Sequence, residues 1–110
     1  MSGFIVIYRW QVPEEQEPAF RREWHDVTIQ LRSAGGLGSC LTRNSNAEFV
    51  AIALWPNEQA RSDAFASLRR FGPVPGVERL EETRLTLQED LWLNSPFKEA
   101  QTVATGQSLS

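Results

Sequence analysis

Arg9 stands between Tyr8 and Trp10 and interrupts the apolar stretch FIVIYRW at residues 4–10. A guanidinium in such a run must be paired if it is buried. Facing a pocket, it can hold a phenolate or carboxylate and stabilise developing oxyanion charge. Facing another strand or subunit, it makes an ion pair instead. Arg43 and Arg84 sit in comparable strand-like surroundings. Tyr8 is the sole tyrosine, suited either to donating to an oxygenated substrate or to packing in a core or interface. His25 is the sole histidine, so any imidazole acid–base step must use it.

On a helical wheel His25 falls roughly 130° from the centre of its helix's apolar stripe, at about 100° per residue. That angle favours solvent or the rim of a pocket over the core. Asp26 cannot support it, because adjacent helical side chains do not face each other. A lone histidine without a carboxylate at ligand spacing gives no metal site, and Ser39 and Cys40 have no base at a readable spacing to make either a nucleophile. Trp10, Trp24, Trp55 and Trp92 each bury a large surface and need a partner for the indole N–H. Trp24 belongs to a helical core stripe, and Trp92 reaches a partner or caps a sheet edge. Trp10 and Trp55 stand at strand ends, where they line either a pocket or a subunit seam. The candidate chemistry therefore rests on Arg9 and His25 as catalytic groups, with Tyr8, Trp10, Trp55 and Arg84 contacting substrate. An aromatic-walled pocket of this kind suits a flat aromatic ligand.

The elements that must position these groups follow from periodicity. Residues 4–10 read as a first strand, rich in β-branched and aromatic types. VPEEQEP then supplies prolines and acids suited to a helix start. Phe20, Trp24, Val27 and Leu31, spaced by four, three and four, form one stripe of that helix, and Gly35-Gly36 stops it. A second strand over residues 37–43 leads to the turn Asn44-Ser45-Asn46 and a third strand over residues 48–55, which makes a hairpin. Asn57 is a fitting N-cap for a second helix carrying Ala60, Ala64, Phe65, Leu68 and Phe71 near one face. GPVPG at residues 72–76 breaks that helix. A fourth strand is expected over residues 81–93, long enough to need a bend or bulge, and Asn94-Ser95-Pro96 ends it. The domain is expected to span residues 1–95, with residues 96–110 a mobile polar tail.

Composition narrows the function classes. The 110 residues suit one domain with a modest core. Eleven basic against fourteen acidic residues give a net charge of −3, and the basic residues are dispersed among acids, which argues against a nucleic-acid partner. A single cysteine excludes an internal disulfide framework, and in its strand Cys40 reads as a small buried hydrophobe. No stretch resembles a signal peptide or a membrane span, so a cytoplasmic protein without a membrane partner is expected.

The order β-α-β-β-α-β is the ferredoxin-like, α+β arrangement: a four-stranded antiparallel sheet with two helices on one face. The first and third strands are nonetheless apolar on both faces. In FVAIALW, residues 49–55, seven apolar residues run without interruption. Leaving the second sheet face wet would expose a contiguous apolar patch, which monomers rarely tolerate. A two-fold partner whose sheet packs against this one is the economical solution, and a homodimer is expected.

Several stretches carry a resemblance to a known family. They are Tyr8-Arg9-Trp10 closing the first strand, Val12-Pro13-Glu14 leading to Ala19-Phe20 and Trp24, Gly35-Gly36-Leu37-Gly38-Ser39, and Ala53-Leu54-Trp55-Pro56. In this order and spacing the chain resembles the antibiotic-biosynthesis-monooxygenase-like (ABM) branch of the dimeric α/β-barrel superfamily, over residues 3–93. The resemblance implies a homodimer with a pocket between each sheet and its helices. It also implies cofactor-independent oxygenation of aromatic phenols or quinols in some relatives and haem degradation in others. The haem-degrading relatives use a first-strand asparagine and a second-helix histidine; this chain has neither. The expected function is a cofactor-independent, monooxygenase-like reaction on a small aromatic phenol or quinol, with no cofactor and no metal. The alternative is a non-catalytic homodimeric module that binds a small hydrophobic molecule or serves as a scaffold.

Overall fold

A central pair of strands organises the molecule. The computed structural model describes residues 3–69 and 74–98. Its elements are β1 (Phe4–Gln11), a 3-10 turn (Glu14–Gln16), α1 (Glu17–Ser33), β2 (Gly38–Arg43), β3 (Phe49–Trp55), α2 (Glu58–Ala66) and β4 (Glu78–Thr86). The sheet order is β2-β3-β1-β4 and every neighbouring pair is antiparallel. This is the ferredoxin-like, α+β topology expected from the order of elements.

Register sorts the side chains cleanly. Phe4 lies opposite Trp55, Val6 opposite Ala53, Tyr8 opposite Ala51 and Trp10 opposite Phe49. Residues directly opposite share a sheet face, so these eight form one face, the one both helices cover. Phe20 of α1 packs on Trp10 and Phe49, with ring centroids 5.2 and 5.0 Å apart. Ala64 of α2 is buried in the cluster around Val6, Tyr8 and Ala53, and Ala60 and Phe65 pack against it. Ile5, Ile7, Arg9, Val50, Ile52 and Leu54 form the other face, which no element among the described residues covers.

The ends of the elements follow local chemistry. Gly35 takes a φ of 115°, a left-handed turn that glycine enters without steric cost, and the Gly36 N–H donates to the Leu31 carbonyl at 2.8 Å to close α1. In the β2–β3 hairpin, the Asn44 carboxamide oxygen accepts from the backbone N–H groups of Asn46 and Glu48, both at 3.0 Å. The Asn57 side chain caps α2 by accepting from Ala60 N at 2.8 Å.

Three expectations need correction. β4 runs from Glu78 to Thr86 rather than over residues 81–93. Its only ladder partner is β1, and Phe4 pairs with Thr86 at the very start of β1. Leu87 N still donates to Gly3 O at 2.8 Å, but no strand lies beyond it to pair with. The β1–β4 register shifts between Arg9 and Trp10, although β4 is shorter than the strand that was expected to need a bend or bulge. α2 ends at Ala66, with Ser67 Oγ donating to the Ala64 carbonyl at 2.9 Å; Phe71, expected on its apolar face, lies outside the described residues. Cys40 is exposed rather than buried, because it sits on the edge strand β2 opposite Ile52, on the uncovered face.

Packing continues past the Asn94-Ser95-Pro96 break. Asp90 accepts from Ser95 Oγ and from the Trp92 N–H, and Ser95 Oγ accepts from Phe97 N at 3.2 Å. The loop so tied seats Phe97 in a buried position against Gly3, where an added Cβ would lie 3.0 Å from the Phe97 ring and 2.7 Å from Leu87. Residues 99–110, most of the expected tail, lie outside the described residues.

Candidate functional site

The helix-covered face is not filled. β3 alternates bulky and small side chains on this face, with Phe49 and Trp55 at its ends and Ala51 and Ala53 between them. Two alanines beneath a long helix leave room, and the α1 stripe walls that room instead of closing it. The result is a cavity of about 440 Å³, within the range typical of small-molecule sites. Trp24, Val27 and Leu31 of α1 form its roof, and Tyr8, Trp10, Ala51, Ala53 and Trp55 form its floor. Gly36 and Gly38 border it where the chain enters β2, and Phe65 and Leu68 border it beside α2. A Cβ on Gly36 would come within 3.3 Å of the Trp55 ring and 3.0 Å of the Leu31 carbonyl, so a glycine there lets the backbone close against the indole.

The aromatic rings of the cavity fall into two pairs. Tyr8 and Trp10 stack at 5.6 Å with an 18° interplanar angle. Trp55 and Phe65 lie 6.2 Å apart at 44°. Trp55 is almost wholly buried, and its indole N–H has no acceptor among the described residues.

One side of the cavity is charged. Tyr8 Oη accepts a 2.7 Å hydrogen bond from Arg61 of α2. Arg61 also lies 3.6 Å from Glu82, and its guanidinium sits over the Phe65 and Tyr8 rings at 4.7 and 5.9 Å. Arg79, which lines the cavity, has its guanidinium 5.9 Å from the Tyr8 ring centroid and 3.3 Å from Glu82. Arg84 donates to Glu82 at 2.8 Å and reaches Glu58 at 3.6 Å. Burial works against the Glu82 charge, but the Arg84 hydrogen bond and the fields of Arg61, Arg84 and Arg79 outweigh it and hold the carboxyl below its ordinary value. In return Glu82 raises the Arg84 guanidinium, by hydrogen bond and by field.

The residues singled out from sequence separate into two groups. Tyr8, Trp10 and Trp55 line the cavity together, and so does Trp24, read earlier as a core residue. Arg9 lies on the opposite sheet face, where its NH1 meets Glu81 at 2.8 Å and its Nε lies 3.2 Å from Glu48. The Glu48 contact is a close ion pair rather than a well-aligned hydrogen bond, since Arg9 Nε has no hydrogen-bond partner. The strand period of two decides this: Tyr8 and Trp10 point under the helices, so Arg9 between them cannot. His25 is exposed on α1 and is not among the cavity-lining residues. Arg84 also stays outside the lining and is tied to the site chiefly through Glu82. Arg43, on the edge strand, pairs with Glu17 at 2.8 Å and covers the Phe49 ring at 4.4 Å.

Arg61 and Arg79 were missed. Arg61 stands four residues before Phe65, hence on the apolar side of α2, and that misplaced charge was a readable signal. Arg79 had none, because it precedes the expected start of the fourth strand. Among the described residues, no group of three potential metal ligands comes together.

No protein-family model and no curated protein matches the chain. Solved structures do. Rv0793 from Mycobacterium tuberculosis is 17% identical with a TM-score of 0.62, over 83% of this chain and 100% of that one. A candidate monooxygenase from Shewanella loihica PV-4 is 17% identical with a TM-score of 0.65, over 82% and 99%. A variant of SnoaB, a cofactor-independent oxygenase from Streptomyces nogalater, is 20% identical with a TM-score of 0.64, over 83% and 98%. The chain thus shares, over nearly the whole length of each, the fold of structures that include an oxygenase working without a cofactor, consistent with the ABM-like resemblance of its own motifs.

Proposed function

We propose that the chain is a cytoplasmic, cofactor-independent, monooxygenase-like protein acting on a small aromatic phenol or quinol. The observation that carries this reading is the cavity of about 440 Å³ with an aromatic floor and Arg79 in its lining, with Arg61 behind it donating to the Tyr8 hydroxyl. Trp10, Trp24 and Trp55 suit a flat ring, and Tyr8 with Arg79 suits the oxygen it bears. The likeness to a cofactor-independent oxygenase supports the same reaction class at the level of fold. Oxidation of a phenol to a quinone by dioxygen releases one water and needs no external reductant, so the balance closes without a further cofactor. Oxygen uptake over a panel of phenols and quinols, with no metal or flavin added, tests the reading. Turnover that disappears when Ala51→Leu fills the cavity supports it. Absence of turnover across the panel, with the same compounds binding, favours the non-catalytic binding module instead. The exposure of His25 favours that second reading, since it leaves the cavity without an imidazole base.

The working unit in this proposal is a homodimer formed through the uncovered sheet face. Ile5, Ile7, Val50, Ile52 and Leu54 make its centre, and Leu85 of β4, opposite Ile5, extends it. Taking such a side chain from full exposure to full burial is worth about 1.5–3 kcal/mol, and the five central ones, already half-buried in the single chain, would add a fraction of that each. Arg9, Glu48 and Glu81 form a charged rim at one end. Beyond β4 the same chain presents Leu91, Trp92 and Leu93 at 90%, 61% and 100% exposure, further apolar surface for a second copy to cover.

A further inference from the structure

We infer that Arg61 is a positioning residue that turns the Tyr8 hydroxyl into a hydrogen-bond donor for an ionised oxygen on the cavity's ligand, so that the site selects aromatic anions such as phenolates and carboxylates over neutral aromatics of the same shape. The inference rests on the aromatic-cavity reading above and names the ligand class of that site.

The argument begins with hydrogen-bond inventory. A guanidinium has only donors, so in the 2.7 Å contact with Arg61 the Tyr8 oxygen is the acceptor. Its own proton is therefore directed elsewhere, and none of the described residues accepts it. Tyr8 is only 9% exposed and lines the cavity, so a ligand atom is the acceptor within reach. Arg61 is itself held: its side chain is 12% exposed, wedged over the Phe65 ring and drawn toward Glu82.

Charge supplies the second argument. Arg61, Arg79 and Arg84 share the single carboxylate of Glu82, and only Arg84 has another acid, Glu58, within ion-pair distance. Three positive charges against two negative ones leave one uncompensated beside Tyr8. The cavity's own acid, Glu23, belongs to the α1 side and makes no ion pair with this cluster. A donor hydroxyl backed by positive charge, with Arg61 itself mostly buried behind it, stabilises an oxyanion more than a neutral carbonyl.

Isothermal titration with 2-naphthoate and with its neutral analogue 2-acetylnaphthalene tests this. The expected result is preferential binding of 2-naphthoate by the native protein. Tyr8→Phe and Arg61→Met should each weaken 2-naphthoate about tenfold or more, and 2-acetylnaphthalene less than twofold. Arg61→Lys should restore part of the preference. Retained binding of the neutral compound shows that each variant still folds. If both compounds bind native protein equally, or if the variants lower both affinities together, the inference is overturned while the aromatic cavity stands. If neither compound binds, both readings fall.

Discussion

The two faces of the sheet are cut from the same two central strands, yet they use their apolar side chains in opposite ways. On the helix-covered face, β1 and β3 set large rings beside alanines, and the mismatch in size leaves a cavity. On the uncovered face the same strands present Ile5, Ile7, Val50, Ile52 and Leu54, all aliphatic and similar in size, and the surface they make is continuous. Uneven side chains leave an interior space, the proposed ligand site; even ones leave a continuous surface, the proposed seat of a second sheet. Apolar content alone does not separate these uses, whereas the variation in volume along each face does.

That contrast can be broken from either side. The largest effect is expected from Ile52→Asp, which places a carboxylate at the centre of the even face. If a second copy covers that face, burying the unpaired charge costs about 3–5 kcal/mol and the dimer separates. Light scattering across a concentration series reads the mass; an unchanged oligomer would remove the assembly from the proposal. On the uneven face, Ala51→Leu adds volume where the cavity lies. Strain there is limited to about 1–3 kcal/mol, so the melting temperature shifts modestly while ligand binding vanishes. Retained binding would show that the ligand does not occupy this space. A smaller effect is expected at the hinge between face and helix, where Asn57→Ala removes the α2 cap and costs about 1 kcal/mol in urea unfolding.

The smallest effect concerns pH. Glu82 titrates below its ordinary 4.5 in the folded chain. A depressed carboxyl contributes stability that is fully present above 4.5 and lost as pH falls through the lower folded value. Urea titrations of native protein and Glu82→Gln should therefore differ most above pH 4.5 and converge in stronger acid. A constant gap across that range would mean that Glu82 acts by shape rather than by charge.

How much of this was legible beforehand depends on the range of the interactions. The α1 stripe, the Asn44 turn, the Asn57 cap and the doubly apolar strands are local patterns, and each was readable. The limits of β4 are set by where β1 begins and ends, some seventy residues away, and periodicity in β4 itself does not contain them. Arg9 draws attention because it interrupts an apolar strand, which leaves a pocket role and an inter-strand ion pair both open; strict alternation decides for the ion pair on the other face. The Tyr8–Arg61 contact joins residues 53 apart, and only the packing of α2 across β1 brings them together.

The placement of the four tryptophans carries a practical consequence. Trp10, Trp24 and Trp55 surround the cavity, while Trp92 stands in solvent beyond β4. The chain thus holds two optically distinct reporters. Occupation of the cavity should quench the inner three, whereas burial by a second copy should shift Trp92 emission to the blue. A Trp92→Phe protein would silence the second signal and leave the first, so that filling the site and pairing of subunits become separately visible in one cuvette.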